Sequence, residues 1–176
     1  MHAWFAAAAD TRWRAVAPLI GMQSFGYALE KGCFHARVES IRDVFEAARD
    51  DMGRSEVCGE VVRAVWDKIC PGLVEKFDCA QSLRLLKHRP VFIGNGELDA
   101  RCPTEPVWEA VEKVRGEEGG ENMVLRVYEG VGHEVTEEMW GDCVAFFEKW
   151  FGKEGVAGVD GAVEEVRCPV AGVDVC

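Results

Sequence analysis

The sequence has little positive charge and no long apolar run, and both shortages exclude classes of function. Lys and Arg total 20 against 31 Asp and Glu, which gives a formal net charge of −11 at pH 7. Nucleic acids and anionic membranes bind basic surfaces, so we expect neither as a partner. The apolar stretch at 1–9 is too short to span a bilayer, and it lacks the basic segment that opens a signal peptide.

The sequence also lacks any C-x-x-C pair, although it contains eight cysteines. Zinc sites built on cysteine commonly use such pairs. We therefore expect buried, reduced thiols in a cytoplasmic protein, with no metal and no cofactor. The cysteines stand at positions 33, 58, 70, 79, 102, 143, 168 and 176.

Length and composition favour one globular domain. The chain has 176 residues, of which 48% are hydrophobic, and this is enough to bury a core. The Ala-rich segment 1–10 predicts a helix, and 15–20 predicts a buried strand in which Pro18 opposes full pairing. Two amphipathic helices are expected within 22–89, one over 37–53 and a second capped by Ser55. The segment is far longer than a crossover between strands requires. We interpret 22–89 as a helical cap over one edge of a sheet.

Two more strands are predicted in the second half of the chain. The apolar run at 91–93 lies between Pro90 and a Gly-Asn-Gly break, which is typical of a strand buried on both faces. The segment 123–128 alternates like a strand, and helices are expected at 104–115 and 136–151. We expect three adjacent parallel strands joined by right-handed crossovers, in the order 15–20, 91–95 and 123–128.

The loops that follow these two strands carry Asp99 and His133. Functional groups of α/β proteins lie at the carboxyl ends of parallel strands, so neighbouring strands would bring the two side chains to one edge. An imidazole acting as a base needs a partner on its far nitrogen, and Asp99 can be that partner. Taken alone, Asp99 suits a turn or a helix cap and His133 suits a solvated loop. Their paired arrangement favours a catalytic interpretation.

These motifs resemble the C-terminal half of the α/β-hydrolase superfamily. The stretch 96–103, Gly-Glu-Leu-Asp-Ala-Arg-Cys-Pro, resembles the family's acid motif G-x-x-D-x-x-x-P, and Gly-Val-Gly-His at 130–133 resembles its histidine loop. The segment 1–9 resembles the helix after the nucleophile elbow, and the acid precedes the histidine as in the family. The similarity covers about 1–151 and is greatest to small cytosolic hydrolases of the dienelactone-hydrolase and prolyl-oligopeptidase-like groups. It implies a three-layer α/β/α sandwich with about three parallel strands and a helical cap insertion at 22–89.

The family's nucleophile motif, G-x-S-x-G, is absent from the sequence. The resemblance implies that the serine lay just before Met1, together with the earlier strands and the oxyanion-hole loop. Ser24 precedes the acid and the base in the right order, but Met22 stands where the elbow needs a small residue. Cys102 is a weaker candidate, because nothing in the sequence places a base beside it.

The resemblance implies that Asp99 and His133 serve a serine hydrolase acting on a small ester, thioester or peptide-like acyl substrate. Because this chain lacks the nucleophile-bearing half, we expect it to be inactive as given. The alternative is a non-catalytic α/β-hydrolase-like binding or interaction module. The domain is expected at 1–151 and a disordered tail at 152–176. The sequence leaves the substrate and the oligomeric state open.

Overall fold

The structure, a computed structural model, describes residues 1–152, so the predicted tail lies outside the described residues from position 153 onward. Within this part the chain forms nine α-helices, one 3-10 turn and two β-strands. The helices are α1 (His2–Ala9), α2 (Phe25–Lys31), α3 (His35–Val38), α4 (Arg42–Asp51), α5 (Gly59–Ile69), α6 (Leu73–Lys76), α7 (Cys79–Arg84), α8 (Thr104–Arg115) and α9 (Glu137–Phe151). The strands are β1 (Val91–Gly96) and β2 (Met123–Tyr128), and the 3-10 turn is Glu39–Ile41.

The two strands form a parallel sheet whose register runs from Val91 opposite Met123 to Gly96 opposite Tyr128. All six residues of β1 are buried. The strand continues through the Gly-Asn-Gly that was expected to end it. Glycine serves close packing here, because a Cβ on Gly94 would lie 3.0 Å from Cγ of Met139 in α9.

The predicted three-strand α/β/α hydrolase sandwich is wrong, because the sheet has two strands in the described part of the chain. The segment 15–20 runs parallel to β1 but pairs with it only through two isolated bridges. The carbonyl of Val16 accepts from the N–H of Phe92 at 2.9 Å, and the carbonyl of Pro18 accepts from the N–H of Gly94 at 3.2 Å. A continuous ladder would also need residue 18 to donate to the carbonyl of Phe92. Pro18 has no N–H, so the strand does not form.

The result is a helix-rich α/β structure with helices on both faces of a narrow sheet. On one face, α1, α7 and α8 pack against Val91 and Ile93 of β1 and form the main core. On the other face, Phe92 contacts Cys143 and Phe146 of α9, with the two phenyl rings 5.7 Å apart. Alternate side chains of β1 therefore pack against the helices on opposite faces of the sheet, as the pleat of a strand requires.

All the secondary structure within 22–89 is helical, but these helices differ from those predicted. The single helix expected at 37–53 is divided into α3, the 3-10 turn and α4, and α5 begins after Cys58 rather than at a Ser55 cap. These helices build their own cluster around Phe45 and Trp66. Among the described residues, none of the helices combines the length and apolar character that crossing a membrane would require.

Arg89 joins the turn after α1 to the chain that enters β1. Its Nη1 donates to the carbonyls of Ala7 at 2.7 Å, Asp10 at 3.3 Å and Trp13 at 3.2 Å. Its Nη2 donates to the carbonyl of Leu85 at 2.8 Å. These carbonyls lie at or near the ends of two helices, where a cation also meets the negative end of the helix dipole.

We expect Arg89→Gln to lower the free energy of unfolding by about 2 kcal/mol, because charge-assisted hydrogen bonds are lost and carbonyls are left unpaired. The matched control is Arg115→Gln, which removes an exposed ion pair with Glu112. That change should cost no more than about 0.5 kcal/mol. Urea unfolding followed by circular dichroism measures both, and equal losses in the two variants would contradict the role given to Arg89.

Candidate functional site

The predicted pair, Asp99 and His133, meets at the carboxyl edge of the sheet. Oδ2 of Asp99 lies 2.8 Å from Nδ1 of His133, across 34 residues of sequence. Asp99 is 2% exposed, whereas the His133 side chain is 34% exposed. The expected contact is therefore present, with a buried carboxylate behind an accessible imidazole.

Asp99 is held in place by its own loop. Its Oδ1 accepts from the backbone N–H groups of Arg101 at 2.9 Å and Cys102 at 3.0 Å. This is the local turn role that aspartate often takes. The turn occupies one carboxylate oxygen and leaves the other aimed at His133, so the local role and the pairing with histidine coexist.

The histidine loop lies directly against the end of β1. A Cβ on Gly96 would overlap the carbonyl oxygens of Val131 and Gly132. The N–H of Leu98 donates to Val131 at 2.9 Å, and the N–H of Gly130 donates to a carboxylate oxygen of Glu97 at 2.9 Å. These contacts join the acid loop to the histidine loop, and they require glycine at position 96.

We expect Gly96→Ala to push the histidine loop away and to break the contact between Asp99 and His133. In the wild type, the hydrogen-bonded Nδ1 proton of His133 should give a low-field ¹H NMR signal, which Gly96→Ala should abolish. Overpacking at this position should also cost about 1–3 kcal/mol of stability. The control is Gly132→Ala, whose added Cβ would meet open space. Survival of the signal in a folded Gly96→Ala protein would contradict this interpretation.

A pocket of about 340 Å³ opens beside His133. Its walls are largely apolar, and Arg37, Arg101 and Cys102 also line it. Sequence reasoning missed Arg37, which resembles any other arginine in a charged helical stretch. The lining residues are Met1, Ile20, Gly21, Gln23, Phe25, Arg37, Ser40, Ile41, Phe45, Trp66, Arg101, Cys102 and His133.

Ser24 has a structural environment rather than that of a nucleophile. It is the N-cap of α2, where its Oγ accepts from the N–H of Tyr27 at 3.1 Å. The same hydroxyl donates to Oδ2 of Asp78 at 2.9 Å. Asp78 is buried and also accepts from the N–H groups of Phe25 and Gly26, so it fixes the start of α2. The hydrogen bonds of Ser24 thus go to α2 and to Asp78, and none goes to His133.

Cys102 lies closer to the pair than the sequence suggested. Its Sγ, an Asp99 oxygen and a His133 nitrogen all lie within 4.8 Å of one another. Burial, and next the charge of Asp99, raise the pKa of the Cys102 thiol to about 12. The thiol instead donates to the carbonyl of Ile20 at 3.2 Å. Since the thiolate is the nucleophile, a thiol with this pKa is poorly suited to attack at neutral pH.

The same cluster contains donor types that Zn²⁺ accepts, namely carboxylate, thiol and imidazole. In the present arrangement, however, both oxygens of Asp99 already accept hydrogen bonds. The Arg37 guanidinium is also close enough to interact electrostatically with Asp99 and Cys102. A positive charge at that position opposes a cation, so the geometry favours acid–base chemistry over metal binding.

No protein-family model and no curated protein matches the chain.

Proposed function

We propose that Asp99 and His133 are the acid and base of a serine hydrolase of the α/β-hydrolase superfamily, acting on a small acyl substrate. The observation that carries the proposal is the 2.8 Å contact between a buried carboxylate and Nδ1 of an accessible imidazole that lines a pocket. Nε2 of His133 makes no hydrogen bond within the described residues, which leaves it available to a nucleophile. The substrate would be an ester, a thioester or a peptide-like acyl group.

The chemistry assigned to each residue follows from its environment. Nε2 of His133 would accept the proton of a serine hydroxyl as that oxygen attacks the acyl carbon, and would return the proton to the leaving group. Asp99 would accept the Nδ1 hydrogen bond, fix the tautomer and stabilise the imidazolium. Asp99 suits this role because backbone N–H groups already hold its other oxygen.

The nucleophilic serine would lie outside these 176 residues. No G-x-S-x-G occurs within the 176 residues, and Ser24 is engaged by Asp78. Met1 lines the same pocket as His133, and α1 leads from there into the core through Trp4 and Ala7. A segment joined to Met1 would therefore enter the site beside the proposed base.

We expect the 176-residue chain to show no labelling by a fluorophosphonate probe and no ester hydrolysis. A missing oxyanion donor alone costs roughly 10²–10³ in rate, and a missing nucleophile removes the covalent route. If the transcript upstream encodes an in-frame G-x-S-x-G, the longer product should be labelled, and His133→Asn should abolish that labelling. Labelling of the short chain that disappears in Ser24→Ala would overturn the assignment of the nucleophile.

The second candidate is a non-catalytic binding module, favoured by an intact pocket in a chain without the nucleophile motif. An upstream sequence without G-x-S-x-G, together with ligand binding by the short chain, would select it. We also propose a cytoplasmic location, because five cysteines at positions 58, 70, 79, 102 and 143 form no disulfide among the described residues and thiols persist in reducing compartments. With a net charge of −11, a nucleic-acid partner is not part of the proposal.

A further inference from the structure

Arg37 lines the pocket and has one buried donor without a hydrogen-bond partner among the described residues. Its Nε donates to the carbonyl of Arg101 at 2.9 Å, and its Nη1 donates to the carbonyl of Ser24 at 3.2 Å. Its Nη2 is buried and has no hydrogen-bond partner among the described residues. Leaving a buried charged donor unpaired is costly, so the Arg37 guanidinium has unsatisfied hydrogen-bonding capacity at the wall of the pocket.

The charges around the pocket favour an anion. Arg37 and Arg101 line it, and no Asp or Glu does, although the chain as a whole carries a net charge of −11. The two carboxylates that act electrostatically on Arg37 are Asp78 and Asp99. Asp78 accepts from Ser24 and backbone N–H groups, whereas Asp99 accepts from its own loop and contacts His133. Neither forms an ion pair with Arg37 in the described part of the chain, so no carboxylate neutralises the guanidinium by direct contact.

The rest of the pocket suits an apolar group. Phe25, Phe45 and Trp66 line it, and the rings of Phe25 and Trp66 meet edge to face at 5.3 Å. The Arg37 guanidinium lies 5.5 Å from the centre of the Phe25 ring, which orients it against the aromatic wall. A volume of about 340 Å³ lies at the lower end of the range for small-molecule sites.

We propose that this pocket binds a ligand with a carboxylate and an apolar body, in which the Arg37 guanidinium at the pocket wall holds the carboxylate and the aromatic wall holds the body. For the hydrolase, this inference rests on the proposed function and assigns the carboxylate to the acyl substrate, away from the carbonyl that reacts at His133. If the protein is a binding module, we expect it to bind the same class of ligand without hydrolysing it. Arg37 and the aromatic wall both belong to the described residues, so binding can be tested without a nucleophile.

The test compares 4-phenylbutyrate with its neutral isostere 4-phenylbutyramide by isothermal titration calorimetry on the 176-residue chain. Because the carboxylate gains a charge-assisted hydrogen bond, it should bind at least about tenfold more tightly than the amide. Arg37→Gln should reduce this preference to about onefold. The control, Arg84→Gln, removes an exposed arginine that pairs with Glu117 outside the pocket and should leave the preference unchanged.

A readout on the wild type keeps the proposal testable if Arg37→Gln does not fold. The Nε–H signal of Arg37 in a ¹⁵N NMR spectrum should shift with phenylbutyrate and should stay in place with the amide. Equal affinities for the two ligands, no binding of either ligand, an unmoved Arg37 signal, or a preference that survives in folded Arg37→Gln would each overturn the proposal. Fluorophosphonate labelling of a longer product would remain possible in all these cases, so failure of this site is distinguishable from failure of the hydrolase assignment.

Discussion

The parallel pairing of β1 with β2 is the constraint on which the candidate site depends. The register places Gly96 opposite Tyr128, so both strands end at the same level and both following loops leave the same edge. Gly96 then lets the histidine loop lie directly against the strand, because any larger residue would overlap its carbonyl groups. The contact between Asp99 and His133 follows from these two features together.

The two buried carboxylates that act electrostatically on Arg37, those of Asp78 and Asp99, have different structural roles. Asp78 accepts from Ser24 and from backbone N–H groups, so it fixes α2 against the start of α7. Asp99 uses one oxygen for its turn and offers the other to His133. Arg37 is influenced by both negative charges while its own hydrogen bonds go to carbonyl groups. This arrangement keeps a positive charge at the pocket wall without neutralising it in a direct ion pair.

Local signals predicted several elements well and others poorly. The helices at 104–115 and 136–151 appear almost as predicted, and Thr136 caps α9 by accepting from the N–H of Met139. The predicted strand at 15–20 is wrong, because the one donor that Pro18 lacks is enough to reduce the pairing with β1 to two bridges. The division of the helix expected at 37–53 left no comparable signal, because the apolar spacing there continues across the break.

The sequence by itself determined where β1, β2, α8 and α9 lie, and that an acid and a histidine follow the two strands in that order. These features depend on nearby residues, namely apolar runs, glycine breaks and helix caps. Only the tertiary structure decided that the hydroxyl of Ser24 donates to Asp78, 54 residues away, and that Cys102 lies beside His133. It alone also decided that Arg37 lines a pocket and that one of its buried donors is unpaired among the described residues. Such contacts join segments that are distant in the chain, and periodicity carries no information about which distant partners meet.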